Sequence, residues 1–227
     1  MVLSIGGRPY KCLFYLTLAY IVIEMVSEIT AGKIILLFGY SVSVSVLYFP
    51  LTFVIADVLT EVYGYAIARR VLWIVLAVSV VTTLIYKGVT VMPSPAFFTG
   101  AAAYERVFGI VPQIFLGGWI AVFAGESANN YVMAKLKVYT DGRYLWVRTI
   151  GSTVVGHGIN TLLFYVIALY GSIPWAAMTQ AILAGWLFKV LVEIICTPIV
   201  YKVVSHLKKI EHEDHFDRGT NFNPFRY

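Results

Sequence analysis

Charge is scarce in this sequence. Aspartate, glutamate, lysine and arginine make up 13% of its 227 residues, about half of what a water-soluble domain carries, so too few ionic groups remain to coat a solvent-facing surface. Cysteine is sparser still. Cys12 and Cys196 lie far apart in apolar stretches, which excludes a disulfide framework and a thiolate metal site and leaves both as expected buried packing residues. A nucleophile elbow, an HExxH helix and a CxxC pair are missing, and Gly32-Lys33 lacks the preceding glycine and following hydroxyl of a P-loop. The chain is therefore not expected to be an enzyme, to hydrolyse ATP alone, or to carry a cofactor or metal. Its 17 basic residues exceed its 12 acidic ones, but they are dispersed and form no stripe for nucleic acid.

What is abundant is apolar: 59% of residues are hydrophobic and 15% aromatic. A spanning helix needs about 20 mostly apolar residues, and six segments qualify: Tyr10 to Ile29, Ser43 to Tyr63, Val71 to Val91, Val111 to Met133, Trp146 to Tyr170 and Trp175 to Val203. Gly171, Ser172 and Pro174 supply the reversal between the last two. The expected fold class is an all-α integral membrane protein with six transmembrane helices and a possible 3+3 inverted repeat. Residues 1–204 are expected to form the six-helix transmembrane domain and 205–227 a polar cytoplasmic tail whose His206, His212 and His215 are assigned no metal. The loop from Met92 to Gly109 suits a short re-entrant or interfacial segment. Span one carries Glu24 and Glu28 and no small-residue cleavage site, so a cleavable signal is not expected.

Basic residues in short loops favour the cytoplasm. Arg8, Lys11, Arg69, Arg70, Lys135, Lys137, Arg143, Arg148, Lys202, Lys208, Lys209, Arg218 and Arg226 fall on one side, against Lys33, Lys87 and Arg106 on the other. Both termini are expected in the cytoplasm of a cell whose inner membrane holds the chain.

An ionisable group in hydrocarbon costs several kcal/mol unless it has a partner, a wet cavity or a substrate. Asp57 and Glu61 share a helix face at four-residue spacing; Glu126 and Asn129 lie in span four, His157 and Asn160 in span five, Lys189 and Glu193 in span six. Counted from the nearest base (Arg69, Arg148 and Lys202), Asp57, Asn160 and Lys189 fall at one level, roughly 18 to 20 Å in, with Glu126 about a turn nearer the cytoplasm. Lys189 and Glu193 are spaced to pair with each other, while Glu24 and Glu28 lie towards the outer end of span one, where solvent or a vestibule can reach them. Small residues recur at Gly118, Val122 and Gly125 and at Ser152 and Gly156, faces that let helix backbones approach.

These residues lie in blocks that resemble a known family. Phe49-Pro50-Leu51-Thr52-Phe53-Val54-Ile55-Ala56-Asp57-Val58-Leu59-Thr60-Glu61-Val62-Tyr63-Gly64 with Ala68-Arg69-Arg70, the block from Arg148 to Thr161 with Phe164, and Phe188-Lys189-Val190 through Glu193 to Pro198 are similar to those of the queuosine precursor transporters, also called the vitamin uptake transporter family. The resemblance implies import of the 7-deazaguanine base preQ0, preQ1 or queuine, for tRNA modification. It also marks a departure: the family often has aspartate where this chain has Asn160, and a neutral amide where it has His157. The expected substrate-binding set is Asp57, Glu61, Glu126, Asn129, Asn160, Lys189, Phe53 and Trp119, with carboxylates accepting from ring N–H and amine donors and aromatics such as Phe49, Phe53, Tyr63 and Trp119 stacking on the base. The lipid bilayer is the other partner, and a homo-oligomer is compatible with the pattern. A substrate-capturing subunit of a multi-component vitamin importer is the alternative, with a membrane-embedded enzyme behind it.

Overall fold

The computed structural model describes residues 3–5, 8–31, 33–37, 39–108, 112–168, 170 and 174–225. Gly109, Val111, Gly171, Ser172 and Arg226, used above to place loops and spans, lie outside them, as does the side chain of Arg8. The chain runs through a hairpin of β1 (Leu3–Ile5) and β2 (Arg8–Tyr10), helix α1 (Leu13–Thr30), and a second hairpin of β3 (Ile34–Leu37) and β4 (Tyr40–Ser43). After a 3₁₀ turn at Val44–Leu47 come α2 (Pro50–Tyr63), α3 (Tyr65–Val91), α4 (Ala101–Phe108), α5 (Pro112–Tyr139), α6 (Leu145–Ala168) and α7 (Trp175–Glu211).

Among the described residues, four helices are long and apolar enough to cross a bilayer: α1, α3, α6 and α7 from Met178. At 28 residues α5 has the length, but buried Glu126, Asn129 and Asn130 interrupt its apolar character. The second expected span departs most. Ser43 ends a strand, and the helix begins only at Pro50, giving 14 residues or about 21 Å, short of the ~30 Å hydrocarbon. Proline is well placed in a first turn but cannot continue a helix backwards, because it has no N–H and its ring clashes with the preceding turn. The missing length is made up by the 3₁₀ turn and the second hairpin, where Ile34 pairs with Ser43 and Gly39 turns at φ 85°.

Eleven of the 14 residues of α2 are buried, which places it at the centre. Its Leu59, Val62 and Tyr63 pack with Leu13 and Tyr20 of α1, Val71 and Val75 of α3, Met133 of α5 and Val200 and Val204 of α7. Helices α5 and α6 are in close contact. A Cβ on Gly125 would lie 2.8 Å from the Gly156 carbonyl oxygen, and one on Gly156 would lie 2.9 Å from that of Gly125. Gly118, from the same small-residue series, has nothing within 4 Å of its Cβ position.

The chain does not loosen at 204/205: α7 continues to Glu211. That carboxylate accepts from the backbone N–H groups of Lys11 (3.0 Å) and Cys12 (2.6 Å) at the start of α1, and from the Tyr63 hydroxyl (2.9 Å). Nor is the tail solvated along its length. Gly64 breaks the path between α2 and α3 at φ 85°, leaving the Tyr65 N–H as a free helix-start donor, which Asp217 accepts at 3.0 Å. Arg69 donates to the carbonyls of Asn221 (3.0 Å) and Asn223 (2.6 Å), and Trp73 to that of Pro224 (2.8 Å). Arg69, expected in a loop, lies in α3 and holds the tail. Cys12 and Cys196 are half-buried and free, not fully buried. The loop after α3 carries α4, which has no buried residue.

Candidate functional site

The cavity of interest lies between the second hairpin and the middle of the bundle. Its wall comprises Glu24 and Glu28 of α1, Ser43, Ser45 and Phe49 ahead of α2, Gly118 and Val122 of α5, Asn160, Thr161 and Tyr165 of α6, and Gly185 and Lys189 of α7. It measures about 110 Å³. A single water needs roughly 10 to 15 Å³ on this scale, so the space is large enough for several waters or a small molecule. Lys189 donates from Nζ to Asn160 Oδ1 (2.9 Å) and Thr161 Oγ1 (3.1 Å) and sits 4.8 Å over the Phe49 ring. Glu24 is 3% exposed, and its Oε2 has no hydrogen-bond partner among the described residues. One turn on, Glu28 accepts from the Ser79 hydroxyl, which itself accepts from Trp119 Nε1 at 2.8 Å.

A drier layer follows towards the end that carries the tail. Asp57 is fully buried and accepts from Asn129 Nδ2 at 2.6 Å, with Ser152 Oγ 3.3 Å away. Phe53 stacks on His157, ring centroids 3.7 Å apart and planes at 27°. Glu126 has no well-formed hydrogen bond, although the Tyr20 hydroxyl lies beside it. The carboxylate of Glu193 and the ring nitrogens of His157 are also unpartnered among the described residues. Lys189 therefore turns to α6 instead of making its possible pair with Glu193.

The third layer is ionic. Glu61 receives Arg148 at both oxygens (2.8 and 2.9 Å), Lys208 at 2.6 Å and Lys137 at 3.5 Å. Asp214 of the tail joins through Lys137 (2.6 Å) and Lys208 (2.8 Å). Burial pushes the Asp214 carboxyl up, but these two ammonium groups outweigh it and hold it below the ordinary aspartate value. A buried carboxylate gripped bidentately by arginine is a lock between helices.

Of the expected binding set, Asn160 and Lys189 line the cavity, and Trp119 stands behind it through Ser79. Asp57, Asn129, Phe53 and Glu126 belong to the dry layer, and Glu61 to the ionic one. The single expected level divides because Arg69 is not the end of the helix that carries Asp57. Counted from Tyr63, where α2 stops, Asp57 is only about 9 Å in. Glu61, one turn further, reaches the bases at the ends of α5, α6 and α7. Reasoning from sequence left Glu24, Glu28 and Tyr165 out of the binding set. The available signal was two carboxylates at i, i+4 inside an apolar run, near the outer end of the span where solvent or a vestibule can reach them.

Helices able to cross a bilayer, with two carboxylates of α1, an amide of α6 and a lysine of α7 meeting at a cavity, define a helical membrane transporter. The chain belongs to the family described as "Putative vitamin uptake transporter", whose model matches residues 43–203. It is 28% identical over 170 residues to the "Probable queuosine precursor transporter" of Bacillus subtilis (strain 168), covering 74% of each chain. It is 26% identical over 204 residues to the "Queuosine precursor transporter" of Escherichia coli (strain K12), covering 88% of this chain and 89% of that one. No solved structure matches it.

Proposed function

We propose that this protein imports a 7-deazaguanine precursor of queuosine across the inner membrane by alternating access. The observation that carries the reading is the cavity, where Glu24, Lys189, Asn160 and the Phe49 ring surround a space of about 110 Å³. The base presents ring N–H and amine donors beside a carbonyl on one edge; a carboxylate accepts the former and an ammonium donates to the latter. Six segments cross the membrane in this reading, α2 doing so together with the hairpin and 3₁₀ turn before it, and α1–α3 and α5–α7 form the two halves of an inverted repeat. The excess of basic residues at the tail end supports a cytoplasmic position for both termini. The cavity then lies on the outer side, and the Glu61 cluster closes the inner one. Opening inwards requires that cluster to part. Asp57, between cavity and cluster with Asn129 and Ser152, is the group over which the base passes.

The test is uptake in cells unable to make the precursors, offered each base in turn, with queuosine in tRNA as the readout, and in liposomes containing this chain alone. Uptake without partners supports a self-sufficient carrier. Asp57→Asn is expected to lower uptake at least tenfold with unchanged membrane abundance. Equal uptake by the variant would remove Asp57 from the path.

A further inference from the structure

We propose that Glu28 selects the base by its 7-substituent: the cavity takes a 7-deazaguanine bearing a protonated aminomethyl group in preference to one bearing a neutral nitrile. This rests on the functional reading above and adds the charge of the ligand to it.

Two carboxylates and one ammonium line the cavity. Lys189 is held by the neutral acceptors Asn160 and Thr161 and by the Phe49 face. Among the described residues it forms no direct ion pair, although Glu24 is near enough for the two charges to act on each other. Its charge remains available to a ligand carbonyl. Glu24, buried to 3% exposure with Oε2 unpartnered, is the complementary acceptor for the ring N–H and exocyclic amine beside that carbonyl. With these two groups matched to one edge of the ring, the second carboxylate is left over. Glu28 stands one helical turn, about 6 Å, from Glu24, and its described donors, the Ser79 hydroxyl and the Trp119 indole N–H, are both neutral. A neutral ligand leaves this carboxylate uncompensated in a confined site. A ligand with an ammonium carried on its five-membered ring compensates it.

The experiment uses the full chain in liposomes at neutral pH and measures uptake of 7-aminomethyl-7-deazaguanine and 7-cyano-7-deazaguanine, each competed with the other. The expected result is at least tenfold preference for the amine. Glu28→Gln is expected to bring the two within about threefold, and Glu28→Asp, which keeps the charge, to retain most of the preference. Equal or better uptake of the nitrile by the wild type would overturn the proposal, as would an unchanged ratio in Glu28→Gln protein that reaches the membrane normally. Uptake of neither base would instead overturn the functional reading on which it stands. Uptake of both without preference would leave that reading standing and remove only this one.

Discussion

At the scale of single residues, a carboxylate in an apolar helix has two fates here. Glu24 keeps an oxygen free beside a cavity, whereas Glu61 is surrounded by Arg148, Lys137 and Lys208. Removing the charge of Glu61 would leave three cations facing one another around the remaining Asp214 carboxylate. Because unpairing a buried ion costs about 3 to 5 kcal/mol, Glu61→Gln is expected to lower the unfolding midpoint of the protein in detergent by that equivalent. Unchanged stability would mean the cluster is not a lock. The sequence made the acids of α1, α2 and α5 visible as residues needing a reason. It did not sort them, since that depends on which neighbours the other helices bring, and Arg148 and Lys208 are distant from Glu61 along the chain.

At the scale of elements, the α5–α6 contact is the tightest test of packing. A Cβ at position 156 would sit 2.7 Å from that of Asn129 and 2.9 Å from a backbone oxygen, and backbone in the seam of two helices cannot give way cheaply. Gly156→Ala is expected to destabilise by about 1 to 3 kcal/mol, measured by thermal unfolding, while Gly118→Ala, with nothing within 4 Å, stays near wild type. The small faces were legible as a four-residue repeat. Which glycines of the repeat touch was not, because Gly118 and Val122 belong to the cavity wall and Gly125 to the seam. The second span was the least legible element: hydropathy is the same whether Ser43 to Phe49 is helix, strand or 3₁₀ turn, and only Pro50 hinted at the late start.

At the scale of the whole molecule, the tail joins parts that lie far apart in sequence. Asp217 and the carbonyls of Asn221, Asn223 and Pro224 bind α3, while Asp214 binds Lys137 of α5. Ending the chain after Glu211 is expected to leave these donors without partners and lower thermal stability by several degrees; a midpoint unchanged by the truncation would show the tail to be dispensable. Composition and hydropathy sufficed to establish a helical membrane protein and the charge asymmetry of its ends, though not where the second span becomes helix, because apolar length and charge count are properties of the linear chain. The tertiary structure decided which acids face a cavity, which are ion-paired, and that the polar tail is tucked against the bundle, because each depends on side chains from different helices meeting at one depth, and two breaks in the backbone, at Pro50 and Gly64, set that depth.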